Sequence, residues 1–204
     1  MDGAMISIPF EDYAGSVPLA LEQAGLAKVL ADAERILLKP NLVTSSPHPV
    51  TTHPAMVEAV VTFLRSVTPA RLIIAEGCGD ACQDTHEVFG ALGYVELART
   101  LDVELVDLNT ATLRQVHDPA CTVFPEMFLP EAAFTHFILS LPVLKAHSLA
   151  DITGTLKNMM GFPPPEHYGG SWKKAAFHGR MQASIRDLNR FITPHFTLLD
   201  ASIG

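Results

Sequence analysis

The stretch ILSLPVLKAHSLADITGTLKNMMG, Ile138–Gly161, opens with a short apolar run that ends at Pro142. Lys145 and His147 follow, then the Thr153-Gly154-Thr155 cluster, then Lys157 and Asn158 at a Met-rich helix start. The apolar run, His136 to Leu141 in full, has no polar alternation. That is the pattern of a strand covered on both faces. Four more runs read the same way: Arg35–Lys39, Arg71–Ala75, Val103–Leu108 and Phe196–Leu199.

Helical spacing fills the gaps between these runs. Val17–Leu30 and Met181–Phe191 carry apolar residues at helical intervals, and Thr85–Thr100 does so with interruptions at Gly90 and Gly93. Pro54–Val67 begins after Thr52 or His53 as cap, with Pro54 suited to the first turn. Strands that alternate with helices predict an α/β fold: three layers, a mostly parallel sheet and helices on both faces. Right-handed crossovers follow from that arrangement. Pro163-Pro164-Pro165, with Tyr168-Gly169-Gly170 after it, reads as a loop or lid beside a site, not a linker, so residues 1–204 are read as one domain.

Composition narrows the function classes. A chain of 204 residues has room for a full core, and 48% hydrophobic against 18% charged residues excludes a disordered chain. A net charge of -8 argues against nucleic acid or an anionic membrane as partner, while local basic clusters can still hold a small anion. No apolar run approaches the roughly 20 residues of a membrane span, and MDGAMISIPF lacks a basic start and long apolar core. The expectation is a cytoplasmic protein. Cys78, Cys82 and Cys121 suit a reducing compartment and fall short of a zinc or cluster ligand set, so no metal site is assigned. They read as ordinary thiols, with a redox or substrate-facing Cys78 between Gly77 and Gly79 as the alternative.

Ligands of open α/β sheets bind beyond the carboxyl ends of the strands, and here those ends are rich in chemistry. Lys39-Pro40-Asn41 closes the first run, Glu76 the second, Asp107 and Asn109 the third, Lys145 and His147 the fourth. Lys39 reads as an anion contact, or else as a solvated strand end. His147 is a candidate acid or base, with a structural cap as its alternative. Lysine neighbours would favour its neutral form. Glu76 is a candidate general base or metal ligand, or a turn carboxylate. Thr153, Gly154, Thr155, Lys157 and Asn158 form an anion cradle without the spacing of a P-loop. His178 with Arg180 opens the last helix and offers another anion contact. Trp172, Tyr168 and Phe162 could stack on a planar ligand or be buried under a lid.

The motifs Lys39-Pro40-Asn41, Thr52-His53-Pro54, Glu76-Gly77, Phe89-Gly90-x-x-Gly93-Tyr94, Leu141-Pro142-x-Leu144-Lys145-x-His147 and Thr153-Gly154-x-Leu156-Lys157-Asn158-x-x-Gly161 resemble those of the domain of unknown function 362 family, with His178 and Asp187-Leu188 as further matches. The likeness runs from about Arg35 to Gly204. It implies kinship with iron–sulfur proteins, since many members carry a fused ferredoxin module, although the cysteines here match no cluster pattern. Members also continue past the last strand, which implies that a C-terminal portion or another subunit completes the site. The order strand, His, Gly cluster, Lys, Gly is also similar, more distantly, to the first domain of nickel-pincer lactate racemases. That likeness implies His147 as acid/base and Lys157 as cofactor anchor.

The reading is thus an enzyme, isomerase- or racemase-like or an oxidoreductase, acting on a small carboxylate- or phosphate-bearing molecule. Its catalytic candidates are His147, Glu76 and Lys145. Lys39, Asn41, Thr153, Gly154, Thr155, Lys157, Asn158 and His178 are its anion- or cofactor-binding candidates, and the cofactor is left open. The alternative is a noncatalytic binding or redox-partner module. Macromolecular partners are read as a second copy of the chain or a ferredoxin-like carrier.

Overall fold

The computed structural model describes residues 5–30, 32–169 and 172–203. Met1–Ala4 of the leader reading, Gly170 of the expected loop and Gly204 at the chain end lie outside them. In chain order the elements are α1 (Tyr13–Gln23), α2 (Leu26–Val29), β1 (Arg35–Pro40), α3 (Pro54–Val67), β2 (Arg71–Glu76), α4 (Thr85–Ala91), α5 (Tyr94–Thr100) and β3 (Glu104–Asp107). Then come β4 (Leu113–His117), β5 (Glu126–Pro130), α6 (Ala132–Thr135), β6 (Phe137–Leu141), β7 (Lys145–His147) and β8 (Asp151–Thr153). The chain closes with α7 (Thr155–Asn158), α8 (Pro165–Tyr168), α9 (Met181–Phe191) and β9 (Phe196–Thr197). Short 3-10 turns cover Met159–Gly161 and Ala175–Arg180.

The five continuous apolar runs are the five strands of one parallel sheet, ordered β3-β2-β1-β6-β9. Alternation along each strand sorts the side chains between two cores. Ile36, Leu38, Leu72, Ile74 and Leu139 meet α1, α3, α4 and α5 on one face. Leu37, Ile73, Ala75 and Ile138 meet α9, the Met159–Phe162 segment and the β4–β5 hairpin on the other. Leu37 and Leu38 are both fully buried. Burial of each such side chain contributes about 1.5–3 kcal/mol. That two-sided burial is why β1, β2 and β6 lack polar alternation, while the edge strands β3 and β9 are only partly buried.

The expected three-layer α/β fold therefore holds, with one difference: a β-hairpin and short helices share the second face with α9. α3 connects β1 to β2 on the first face, and α9 connects β6 to β9 in the opposite direction on the second. Opposite directions on opposite faces give both crossovers the same hand. The strand order reverses between β1 and β6. The crevice beyond their carboxyl ends is the switch point where doubly wound sheets place ligands.

Local signals explain the helix boundaries. Pro54 opens α3, and His53 caps it by accepting from the Ala55 N–H at 3.1 Å. The expected Val17–Leu30 helix starts earlier, at Asp12, whose carboxylate accepts from the Gly15 N–H at 2.7 Å. It breaks at Gly25, whose φ of 68° is left-handed backbone that glycine adopts without strain. Gly93, φ 80°, divides α4 from α5 in the same way. No helix among the described residues is long and apolar enough to cross a membrane.

Candidate functional site at the strand tips

Lys39 is the last side chain of β1 to point toward the second face, and it is fully buried. Its ammonium lies 2.7 Å from Glu76 Oε1 and donates to the Pro40 carbonyl at 2.8 Å. Glu76, 2% exposed, also accepts from the Gly77 N–H on Oε1 and from the Leu42 N–H on Oε2, each at 2.8 Å. Burial pushes the Lys39 ammonium below its ordinary range, and the Glu76 charge opposes that shift. An isolated charge at this depth would cost several kcal/mol, so the pair survives through its partners.

Two glycines seal the pair. A Cβ on Gly161 would overlap Glu76 Oε1 and stand 2.6 Å from Lys39 Nζ. A Cβ on Gly77 would overlap the Gly161 carbonyl and stand 2.6 Å from Asn109 Oδ1. Gly161 is glycine because its backbone presses directly on the ion pair, and Gly77 because the Gly161 carbonyl and the Asn109 side chain press on it in turn. Neither Lys39 nor Glu76 has a face open to a ligand.

Asn158, 3% exposed, ties this floor to the outer shell. Its Nδ2 donates to the Lys39 carbonyl at 3.0 Å and to Ser140 Oγ at 2.9 Å, and its Oδ1 accepts from Asn41 Nδ2 at 3.1 Å. Asn41 Oδ1 accepts in turn from the Lys145 ammonium at 2.9 Å, which also donates to the Val50 carbonyl. A polar residue in a short helix thus satisfies the tips of β1 and β6 together.

The β7–β8 hairpin carries the outer wall. Lys145 pairs with Thr153 and His147 with Asp151 in its antiparallel ladder. All four side chains therefore share one face of the hairpin. Burial and the neighbouring Lys157 charge push Lys145 down to about 8. Lys157 is lowered as well, by burial and by Lys39. Lys157 makes no hydrogen bond and no ion pair among the described residues. The Thr153 hydroxyl is buried without a partner, a deficit of about 1–3 kcal/mol.

His147 is held below its ordinary range by burial first, then by Lys157, Lys145 and His178. Its Nδ1 accepts from the Leu149 and Ala150 N–H groups at 3.1 and 3.2 Å. The neutral ring then carries its proton on Nε2 and offers a donor there. Protonation at Nδ1 would break the turn of the hairpin.

The structure thus gathers Lys145, Lys157, His147 and His178 in one electrostatic neighbourhood, and sets Lys39, Glu76, Asn41 and Asn158 beneath it. Gly154 caps α7 with its carbonyl, which accepts from the Asn158 N–H at 3.0 Å. Thr155 is half-buried and makes no side-chain hydrogen bond among the described residues. The aromatic candidates lie elsewhere. Phe162 and Tyr168 are core, with the Tyr168 hydroxyl accepting from the Phe128 N–H at 2.8 Å, and Trp172 is exposed.

Lys174 carries no motif signal, yet it is 6% exposed and donates to Asn109 Oδ1 at 2.7 Å and to the Pro163 carbonyl. Burial pushes its pKa down to about 7. A Lys-Lys pair in a Pro/Gly-rich loop ordinarily reads as solvated. Lys173 beside it lies 3.0 Å from the buried Cys78 Sγ. No group of three or more His, Cys, Asp or Glu side chains able to hold a metal occurs among the described residues. A groove of about 780 Å³ opens at the opposite, amino end of the sheet, lined by Lys28, Arg35, His136 and His195. The tip site is the stronger candidate despite that volume, because its unpaired lysines and orphan hydroxyl lie at the switch point.

Fold and site define a doubly wound α/β protein with a cluster of lysines at its switch point. The chain belongs to the DUF362 family, whose model, described as a domain of unknown function, matches residues 36–204. It is 27% identical over 189 residues to the thylakoid-associated protein sll1697 of Synechocystis sp., a match that covers 86% of this chain and 54% of that protein. The chain therefore spans about half the length of that relative.

Proposed function

We propose that this chain binds a small anionic substrate or cofactor group, carboxylate- or phosphate-bearing, at the carboxyl ends of β1 and β6, in support of an enzymatic reaction. The carrying observation is the pair Lys145 and Lys157. Both are half-buried, each sits without a carboxylate partner, and each is lowered by burial and a neighbouring lysine charge. Cations are placed in that way at a cost that an incoming anion removes.

Roles divide by exposure. Lys39 and Glu76 are the internal ion pair on which the site is built. Glu76 is not the general base, since both of its oxygens are engaged under Gly161. His147 donates Nε2–H to the ligand, and its Nδ1 holds the hairpin turn. Lys145, lowered to about 8 by burial and the Lys157 charge, is the proton carrier of the open wall.

A thermal-shift screen tests the reading. An anion at 100 times its Kd adds about 2.7 kcal/mol of stability. For a domain of this size that raises Tm by about 5–10 °C. Lys145→Ala and Lys157→Ala should each abolish the shift. If no carboxylate or phosphate compound moves Tm in the wild type, the site does not bind anions.

A further inference from the structure

Resting on the anion-site reading, we infer that the ligand presents a tetrahedral dianion, a phosphate or phosphate-ester group, held between Lys145, Lys157, His147 and Thr153. The charge count comes first. Lys145 spends two of its three donors on neutral oxygens, Asn41 Oδ1 and the Val50 carbonyl, and keeps the third for a ligand. Lys157 has no hydrogen-bond or ion-pair partner among the described residues. Glu76 is the carboxylate that acts on Lys145, and it is already matched by Lys39. Asp151 shares that hairpin face but is exposed and forms no ion pair among the described residues, so the two ammonium groups stand without an ion-pair partner, and one carboxylate would neutralise only one of them.

Shape comes second. The donors arrive from separate elements: Lys145 and His147 from β7, Thr153 from β8 and Lys157 from α7. Lys145 and Thr153 stand directly opposite each other in the ladder, with His147 two residues along on the same face. The Thr153 hydroxyl is the buried group there that lacks a partner. Four donors on a surface that bends from hairpin to helix match oxygens that diverge in three dimensions. A planar carboxylate presents two oxygens in one plane and leaves part of the set unused.

Calorimetric titration of the full chain at pH 7.5 and constant ionic strength, with inorganic phosphate, sulfate, malonate and acetate as probes, tests this. Phosphate and sulfate should bind at least about tenfold more tightly than acetate or malonate. Lys157→Gln should weaken phosphate about 10- to 100-fold, the loss expected of one charge-assisted contact. Lys157 holds no internal bond, so that variant keeps the fold, which circular dichroism confirms. Thr153→Val should weaken phosphate more than acetate.

Acetate binding as tight as phosphate overturns the dianion and leaves the anion site standing. Malonate equal to phosphate overturns the tetrahedral geometry alone. Phosphate affinity unchanged in both Lys157→Gln and Lys145→Met overturns the assignment of the site. If none of the four binds, this inference and the anion-site reading fall together.

Discussion

Raising the pH from 7 to 9 should stabilise this protein, and Lys174 sets the size of the effect. The Lys174 ammonium is 6% exposed and burial lowers its pKa to about 7. In the unfolded chain a lysine titrates near 10.4, as a model-compound figure. Below about pH 7 both states are protonated, and the folded state carries the full cost of a buried ammonium. Between about 7 and about 10 the unfolded chain binds a proton that the folded chain has lost, so stability rises with pH. Each unit of pH at full difference is worth about 1.4 kcal/mol. Because Lys174 is half-protonated at the start, the gain from pH 7 to 9 is about 2 kcal/mol.

Lys39, Lys145 and Lys157 are lowered too and act in the same sense. The Cys121 thiol, raised by burial, acts in the opposite sense above about pH 9, which closes the window. Urea midpoints at pH 7, 8 and 9 and fixed ionic strength measure the slope. Lys174→Met, which keeps the length of the side chain, should be flatter by about 2 kcal/mol over that range. A wild type that loses stability from pH 7 to 9 refutes the reasoning, as does an unchanged slope in Lys174→Met.

Other substitutions probe the floor of the site. Glu76→Gln leaves the Lys39 ammonium buried beside a neutral amide and should cost about 3–5 kcal/mol in chemical denaturation. Gly161→Ala forces a methyl into the Lys39–Glu76 pair and should cost at least about 1–3 kcal/mol. Gly154→Ala is the contrasting case: nothing lies within 4 Å of its added Cβ. Its melting temperature should stay close to wild type, and loss of phosphate binding in that stable variant would show that Gly154 serves the ligand. Asn158→Ala removes the amide shared by Lys39, Ser140 and Asn41, and about 1–3 kcal/mol should disappear with each buried partner left unpaired.

The sheet was legible because its three central strands are buried on both sides. RILLK, RLIIA and HFILSL carry no polar alternation to confuse the reading, and Gly93, Pro54 and His53 mark helix ends by local chemistry. The β4–β5 hairpin was not legible: LRQVH is mostly exposed, so its pattern is that of a solvated loop. The β7–β8 hairpin was hidden for another reason. Lys145, His147 and Thr153 look like a loop of functional groups, and their pairing comes from the ladder, not from propensity.

Site residues divide along the same line. Position at strand tips marked Lys39, Glu76, Asn41 and Lys145, yet sequence could not tell an inward ammonium from an outward one. Lys39 is fully buried against Glu76, and Lys174, without a motif, is buried from a loop remote in the chain. Such long-range burial leaves no periodic trace.

The proposed anion site lies at the carboxyl ends of β1 and β6. A phosphate titration followed by amide proton–nitrogen correlation spectra measures that place directly. Saturable shifts concentrated in Lys145–Asn158 and at His178 are expected. Shifts confined to the groove around Arg35, His136 and His195, at the opposite end of the sheet, would contradict it.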